Sequence, residues 1–412
     1  MNPSRYREAN ATLAPSALGE HHVVFSGNSY ARWDERHRGQ HPAVIPRDRP
    51  DSPGGTVPRC TADHWPEEML ADPVDRQLAL SILGTAEPRA IADALRVFCR
   101  AHLGGELATV TMCSFSVGAG FGLALTDGRQ AFLKAWADTT SRAELLAVHT
   151  VEQALAEQGF PAPAVLVAPT EFMSGHASVL EWLDRGSRVD AGAPEVRRAM
   201  ASALAWLIDL AKPFSGLPDL PQQSYPDDVT WGPTHNILYD FTATAVGAEW
   251  IDVIAAANGA LVRGSNGPCI IGHRDWSVKN VRIDGAVDGS DDALPAVTAV
   301  YDWDSLVLAR EPEIVGMAAA TFRTTWDSPA MRRFATADEM VAFVSDYEIA
   351  RGHPFTANEW QVAGASATYT LAYTARCEHC IAPLDIENDS ARHILRACAV
   401  AGRISVFDRE TA

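Results

Sequence analysis

The run Gly272-His273-Arg274-Asp275-Trp276-Ser277-Val278-Lys279-Asn280 places a carboxylate and an amide five positions apart, and Asp302 follows 22 residues after Asn280 in Tyr301-Asp302-Trp303-Asp304. This ordered set suits phosphoryl transfer. Charge spreads over the oxygens of a transferred phosphoryl group and must be met by positioned donors and divalent cations. Mg²⁺ takes hard oxygen ligands, and Asn280 and Asp302 offer an amide carbonyl and a carboxylate. Asp275 sits on the loop ahead of the strand-like NVRI, where it can accept the proton of an acceptor hydroxyl and aim the oxygen at the γ-phosphate. His273 braces that loop rather than reacting. Ser277, two residues past the base, is a candidate contact for the γ-phosphate. Any one of these residues has an ordinary explanation, a lone Asp most often being a turn residue. The joint order, flanked by the apolar runs NVRI and AVTAVYDW, carries the signal.

Phosphoryl transfer also requires a phosphate-covering loop and a cation, and both lie upstream. Ser116-Val117-Gly118-Ala119-Gly120-Phe121-Gly122 falls between two strand-like runs. Gly118, Gly120 and Gly122 would let backbone N–H groups approach phosphate oxygens, although the same spacing suits a plain hairpin. Lys134, in AFLKAW, can bridge the α- and β-phosphates. Such a lysine needs a helix carboxylate. Glu144 and Glu152 share roughly one face of the next helix, and Glu152, 18 residues past Lys134, lies nearer the usual distance.

The elements that must position these groups follow from periodicity. Apolar residues at three- and four-residue steps predict helices from about Pro73 to Leu103, closed by Gly104-Gly105. LATVTMCSFSV, GFGLALTD and RQAFLKAW read as strands, with Asp127-Gly128 as a hairpin turn. AELLAVHTVEQALAEQ reads as a helix closed by Gly159, then VLVAP and HASVLEWL as strands. From about Asp184 the pattern is mainly helical, including VRRAMASALAWLIDLA and WIDVIAAANGALV. It is broken by NVRIDG, an acidic loop at Asp288–Asp292, and AVTAVYDWD. Residues 1–78 read as an irregular extension, 79–183 as a strand-rich part and 184–412 as a mainly helical part.

At GAGFG, FLK, GFPAP, VLEWLDRG, GHRDWSVKN and YDWDSL the sequence resembles the aminoglycoside-phosphotransferase family of small-molecule kinases, over about residues 79–330. The resemblance implies an α+β, two-lobed protein-kinase-like fold. Its N-lobe is an antiparallel sheet plus a helix, its C-lobe is mainly helical, and ATP binds between the lobes. It implies Asp275 as base, Mg²⁺ on Asn280 and Asp302, and Lys134 on the phosphates. Residues near Glu181–Leu183 would form a hinge that meets adenine through backbone groups. Three departures stand out. Arg274 replaces the family's usual Gly, Ser277-Val278-Lys279 replaces its usual small or His-Pro-Gly run, and the family's glutamate position falls near Val148 or His149.

The activity so implied is ATP-dependent transfer to a hydroxyl of a small molecule, an antibiotic or other natural product being one class of acceptor. A cationic aminoglycoside would need an acidic pocket, for which Asp240, Asp304, Glu311, Glu313 and Glu378 are candidates. Two alternatives remain open: a kinase acting on Ser or Thr of a precursor peptide, with the extension as docking arm, and a nucleotide-binding module without turnover. The intact Asp275, Asn280 and Asp302 favour an enzyme.

Composition narrows the setting. The chain of 412 residues carries 34 Lys+Arg against 52 Asp+Glu, a net charge of −18, which argues against a nucleic-acid partner. No run approaches the length of about 20 apolar residues that a membrane helix needs, and the N-terminus lacks the basic-then-apolar order of a secretion signal. The scattered seven cysteines suit a reducing compartment, so the expected location is cytoplasmic. Cys377, Cys380, His393 and Cys398 have spacing that zinc can use, but they sit in helical patterns where buried cysteine is common. Nothing in the sequence specifies an oligomeric state.

Overall fold

The computed structural model describes residues 70, 72–227, 229–285, 295–324, 334–381 and 390–408. Residues 1–69 of the expected extension and the acidic loop at 288–292 lie outside this set. The chain divides into two units. One holds Pro163–Leu183 and the described residues up to His149; the other holds Thr150–Ala162 and the described residues from Asp184 onward.

The first unit is built on a five-stranded antiparallel sheet. Its strands are β1 (Leu107–Phe115), β2 (Ala119–Leu125), β3 (Gln130–Trp136), β4 (Val165–Phe172) and β5 (Gly175–Glu181), in the order β1-β2-β3-β5-β4. The β2–β3 turn forms because the Asp127 carboxylate accepts the Arg129 N–H at 3.0 Å while Gly128 takes φ 89°. Phe121, Leu123, Leu133 and Val179 supply fully buried side chains. Two helices precede the sheet. In α1 (Pro73–Leu83) Asp72 caps the Val74 N–H at 2.8 Å and Gly84 closes the helix at φ 74°. This helix therefore runs across position 78, where the sequence reading began the N-lobe. In α2 (Pro88–Phe98) the buried face is Ile91, Ala92, Leu95 and Phe98, and a π turn at Cys99–Leu103 extends it to Gly104 at φ 62°. Helix α3 (Arg142–Glu157) is followed by Gly159 at φ 84°.

The second unit is mainly helical: α4 (Pro194–Ala211), α5 (Glu249–Arg263), α6 (Glu311–Thr321), α7 (Ala337–Arg351), α8 (Ala357–Ile381) and α9 (Ala391–Val400). Helix α6 is buried on all sides from Pro312 to Thr321, which explains why its sequence shows no polar face. It approaches α8 so closely that a Cβ on Gly316 would lie 2.2 Å from the Ala363 carbonyl oxygen. Among these helices run two antiparallel pairs, β6 (Cys269–His273) with β9 (Leu306–Arg310) and β7 (Val281–Asp284) with β8 (Ala296–Val300). The sequence reading found β7 and β8 but not β6 and β9. CIIGH and LVLAR are short, mostly buried and unalternating, so periodicity does not separate them from helix.

Candidate active site

The loop that carries Asp275 begins where β6 ends. Gly272 is required there, since a Cβ would lie 2.4 Å from the Ile314 side chain. His273 is fully buried, and its Nε2 lies 3.0 Å from the Tyr301 carbonyl. A carbonyl only accepts, so Nε2 carries the proton. Burial pushes this imidazole below its ordinary range, against the pull of Asp302 and Asp275, which keeps it neutral. Its ring packs edge-on against Trp276 and Trp303, with centroids 5.7 and 6.4 Å away. Trp276, also fully buried, donates its indole N–H to the Met200 carbonyl on α4 at 3.1 Å. The Val278 N–H donates to the Phe322 carbonyl at 3.0 Å. The half-buried Asp275 is thus carried on a loop pinned at both flanks.

Asn280 closes the loop. Its amide donates to the Asp275 carboxylate at 2.8 Å and to the Asp275 carbonyl at 2.9 Å. Its own carbonyl accepts the Tyr301 N–H at 2.8 Å, which ties it to the residue preceding Asp302. Asp302 takes φ 63° and ψ 46°, a left-handed conformation that costs about 1 kcal/mol and that Asp tolerates better than most residues. Ser305 holds it there, its hydroxyl 3.0 Å from the Asp302 carboxylate and its N–H 2.9 Å from the Asp302 carbonyl. The Arg274 N–H donates to the Ser305 carbonyl at 3.0 Å, continuing the β6–β9 ladder into both loops. Asp275, Asn280 and Asp302 are therefore joined by main-chain and side-chain hydrogen bonds. Ser277 lies within this loop, but its side chain is fully buried and its hydroxyl finds no partner among the described residues.

The donor set fits a hard cation. The Asn280 amide nitrogen is engaged with Asp275, so its oxygen is the donor left for a metal, and Asp302 adds a half-buried carboxylate. Among the described residues no three His, Cys, Asp or Glu side chains form a preformed cage. One carboxylate and one amide oxygen suit an ion that completes its shell with phosphate and water. The same observation bears on the cysteines. Cys377 and Cys380 lie on α8 and Cys398 on α9, with Cys380 Sγ 2.9 Å from the Thr244 hydroxyl.

The remaining predicted residues belong to the first unit or to α3. Gly118 lies on the β1–β2 turn, while Gly120 and Gly122 lie within β2. A Cβ on Gly120 would meet Phe132 at 2.8 Å, and one on Gly122 would meet Thr111 at 2.5 Å. Close packing within the sheet thus requires both glycines. Lys134 lies on β3, opposite Gly120 on one side and Ser178 on the other, with its ammonium 5.8 Å from the Trp136 ring. Of the two carboxylates considered for it, Glu144 is exposed and Glu152 is fully buried. His149, near the position where the family's glutamate was expected, is buried with Nε2 2.9 Å from the Ser178 hydroxyl. Glu181 ends β5, and its N–H donates to the Ala164 carbonyl at 2.8 Å; Leu183 is half-buried.

Sequence reasoning missed Ser305, the Trp276 anchor and a group of aromatic side chains in the second unit. Trp231 packs against Phe241, Tyr369 and Tyr373 with centroids 5.4, 5.5 and 5.9 Å apart. His235 packs against Tyr239 at 4.7 Å and Tyr373 at 5.7 Å. The signal was present in the rings spaced through 231–241 and at positions 369 and 373, one turn apart on a helix. Tyr369 also borders a cavity of about 230 Å³ lined by Thr230, Ala255, Gly259 and Arg263.

The profile of the phosphotransferase enzyme family matches residues 116–353, a span that contains the glycines, Lys134, Asp275, Asn280 and Asp302. The chain belongs to the phosphotransferase enzyme family. Members of that family carry phosphate to hydroxyl groups of small molecules. Among solved structures it is similar to amicoumacin kinase hAmiN in complex with AMP-PNP, Ca²⁺ and Ami, at 14% identity and a TM-score of 0.56, covering 78% of this chain and 97% of that one. Spectinomycin phosphotransferase in complex with ADP and spectinomycin matches at 12% identity and 0.44, covering 76% and 95%. Ethanolamine kinase of Plasmodium vivax matches at 10% and 0.42, covering 74% and 86%. The first likeness shows that this phosphotransferase has the α+β fold of a small-molecule kinase. Among curated proteins no match is found. No described helix is long and apolar enough to cross a membrane.

Proposed function

We propose that this phosphotransferase transfers the γ-phosphate of ATP to a hydroxyl of a small molecule, with an antibiotic or other natural product as the acceptor class. The observation that supports it best is the Asn280 amide donating to the carboxylate of Asp275 at 2.8 Å. That bond turns one carboxylate oxygen inward and leaves the other to accept the acceptor's proton. It also leaves the Asn280 side-chain oxygen and the Asp302 carboxylate as the two oxygens proposed for Mg²⁺. When bound, such an ion neutralises charge on the phosphate oxygens. His273 keeps the base loop in place, and Ser277 is the candidate γ-phosphate contact, reached after a local adjustment that exposes its hydroxyl. In the other unit Lys134 would pair with the α- and β-phosphates, with the turn at Gly118 and the strand at Gly120 and Gly122 alongside. Glu152 would be the candidate counter-charge for the lysine, since a buried carboxylate requires a compensating charge. Glu181 and Leu183 would meet the adenine. The amicoumacin kinase of the same fold was solved with AMP-PNP and Ca²⁺, which supports ATP with a divalent ion.

The test is Asp275→Ala. ADP production in the presence of ATP and Mg²⁺ should fall at least a hundredfold while nucleotide binding, followed by titration, stays within threefold. ADP production unchanged in that variant would reject the base.

A further inference from the structure

We propose that Ser305 is a positioning residue for the cation: its hydroxyl sets the Asp302 carboxylate in the orientation that meets the divalent ion bound with ATP. The proposal rests on the reading of Asp302 as an Mg²⁺ ligand.

The main chain around Asp302 is secured without that hydroxyl. Trp303–Ser305 form one 3₁₀ turn between Asp302 and β9, closed by the Ser305 N–H on the Asp302 carbonyl at 2.9 Å. Trp303 plugs the turn into the core. It is almost wholly buried, donates its indole N–H to the Val300 carbonyl at 2.9 Å, and packs edge-on against Phe160 at 6.0 Å as well as against His273. The Ser305 carbonyl accepts the Arg274 N–H, one residue before Asp275. None of these contacts uses the Ser305 side chain.

What they leave undecided is the direction of the Asp302 side chain. An Asp that opens a helical turn ordinarily takes extended backbone and spends its carboxylate on the N–H groups of the turn. Asp302 opens this turn in the left-handed region, and its carboxylate caps none of those N–H groups. The Ser305 hydroxyl reaches its Oδ2 instead, at 3.0 Å. A carboxylate accepts, so the hydroxyl is the donor. The bond is charge-assisted, which makes it roughly twice as strong as one between neutral groups. Ser305 is buried, so water competes little for it, while Asp302 keeps part of its surface open to a ligand.

Ser305 thus divides its polar groups by task. Its N–H and carbonyl fasten the two loops, and its hydroxyl addresses the carboxylate alone. A partner that hydrogen-bonds a ligating carboxylate fixes how that ligand faces its metal, and losing one costs about 10- to 100-fold in metal affinity. Phosphate oxygens share the ion here, so the low end of that range is expected.

The test uses the full-length protein and AMP-PNP, titrated by calorimetry with saturating Mg²⁺ and again with EDTA. The ratio of the two affinities is the gain that the cation brings. Ser305→Ala should lower that ratio at least fivefold while the affinity in EDTA stays within twofold, with thermal melts to show that the variant is folded. Ser305→Cys, close in size to Ser but a weak donor, should do the same. Asp302→Asn should lower the ratio at least as far, and adding Ser305→Ala to it should change the ratio less than twofold, since the hydroxyl acts only through that carboxylate. A smaller loss in both Ser305 variants, equal weakening with and without Mg²⁺, or additive losses in the double variant would overturn the role of Ser305 and leave Asp302 standing as a ligand. An unchanged ratio in Asp302→Asn would overturn both. Binding is read without turnover, so none of these outcomes depends on Asp275 as the base.

Discussion

Replacing Asn280 by Ala removes two hydrogen bonds to Asp275, the proposed base. One, at 2.9 Å, goes to a neutral carbonyl and is worth about 1 kcal/mol; the other, at 2.8 Å, goes to a carboxylate and is worth roughly 1.5–3 kcal/mol. Asp275 is half-buried, so water takes over part of what is lost and the lower end of the range applies, about 2–3 kcal/mol in total. If that energy serves to hold the base in its reactive orientation, kcat falls roughly 30- to 150-fold, at tenfold per about 1.4 kcal/mol. Asn280→Asp returns an oxygen for the cation but sets like charge against Asp275, so its rate should fall at least as far as that of the Ala variant. The assay is ADP release at saturating ATP and Mg²⁺, with thermal melts to show that each variant is folded. A kcat for Asn280→Ala within threefold of wild type, at unchanged Tm, would show that the amide does not position the base.

Gly316→Ala should lower Tm by several degrees in calorimetry. The new methyl lies 2.2 Å from a backbone oxygen that cannot move aside, and overpacking of about 1–3 kcal/mol outweighs a helix-propensity gain of up to about 1 kcal/mol; an unchanged Tm would mean that the α6–α8 contact is looser than described. Trp276→Ala should cost about 3–5 kcal/mol in urea unfolding, because it empties a fully buried site and removes the donor to Met200. His379 supplies a pH dependence. Burial, with Arg376 and Arg392, depresses its imidazole against the pull of the Val246 carbonyl and Glu249, so between its native value and about 6.5 the unfolded chain binds more protons. Stability from this group is full above about pH 6.5 and is lost as pH falls. His379→Gln should therefore lose less stability than wild type between pH 7.5 and 5.5, and parallel losses would refute it.

The chemistry was more legible than the scaffold around it. Asp275, Asn280 and Asp302 stood out as candidates because phosphoryl transfer restricts both residue type and order, and the structure links them through Asn280 and Tyr301. Helices with one polar face, such as α2 and α4, were visible for the same reason that they are amphipathic. Helix α6 and most of the strands β6 and β9 are buried, so burial erases the alternation that sequence reading depends on. The glycines at 120 and 122 were read for phosphate, while in the sheet their neighbours Phe132 and Thr111 already require them. The acidic acceptor candidates could not be placed from the sequence for a different reason. Composition reveals that carboxylates exist, but only coordinates show that Glu311, Glu313 and Glu378 are already engaged with Arg351, Arg310 and the start of α9.

The register of β6 with β9 carries a further implication. The segments bearing Asp275 and Asp302 are fastened by main-chain groups, from His273 opposite Leu306 to the Arg274 N–H on the Ser305 carbonyl. Most side-chain replacements leave such fastening intact. The helices packed around this pairing belong to other elements, so replacements on them can reshape their surfaces while Asp275 and Asp302 stay in register.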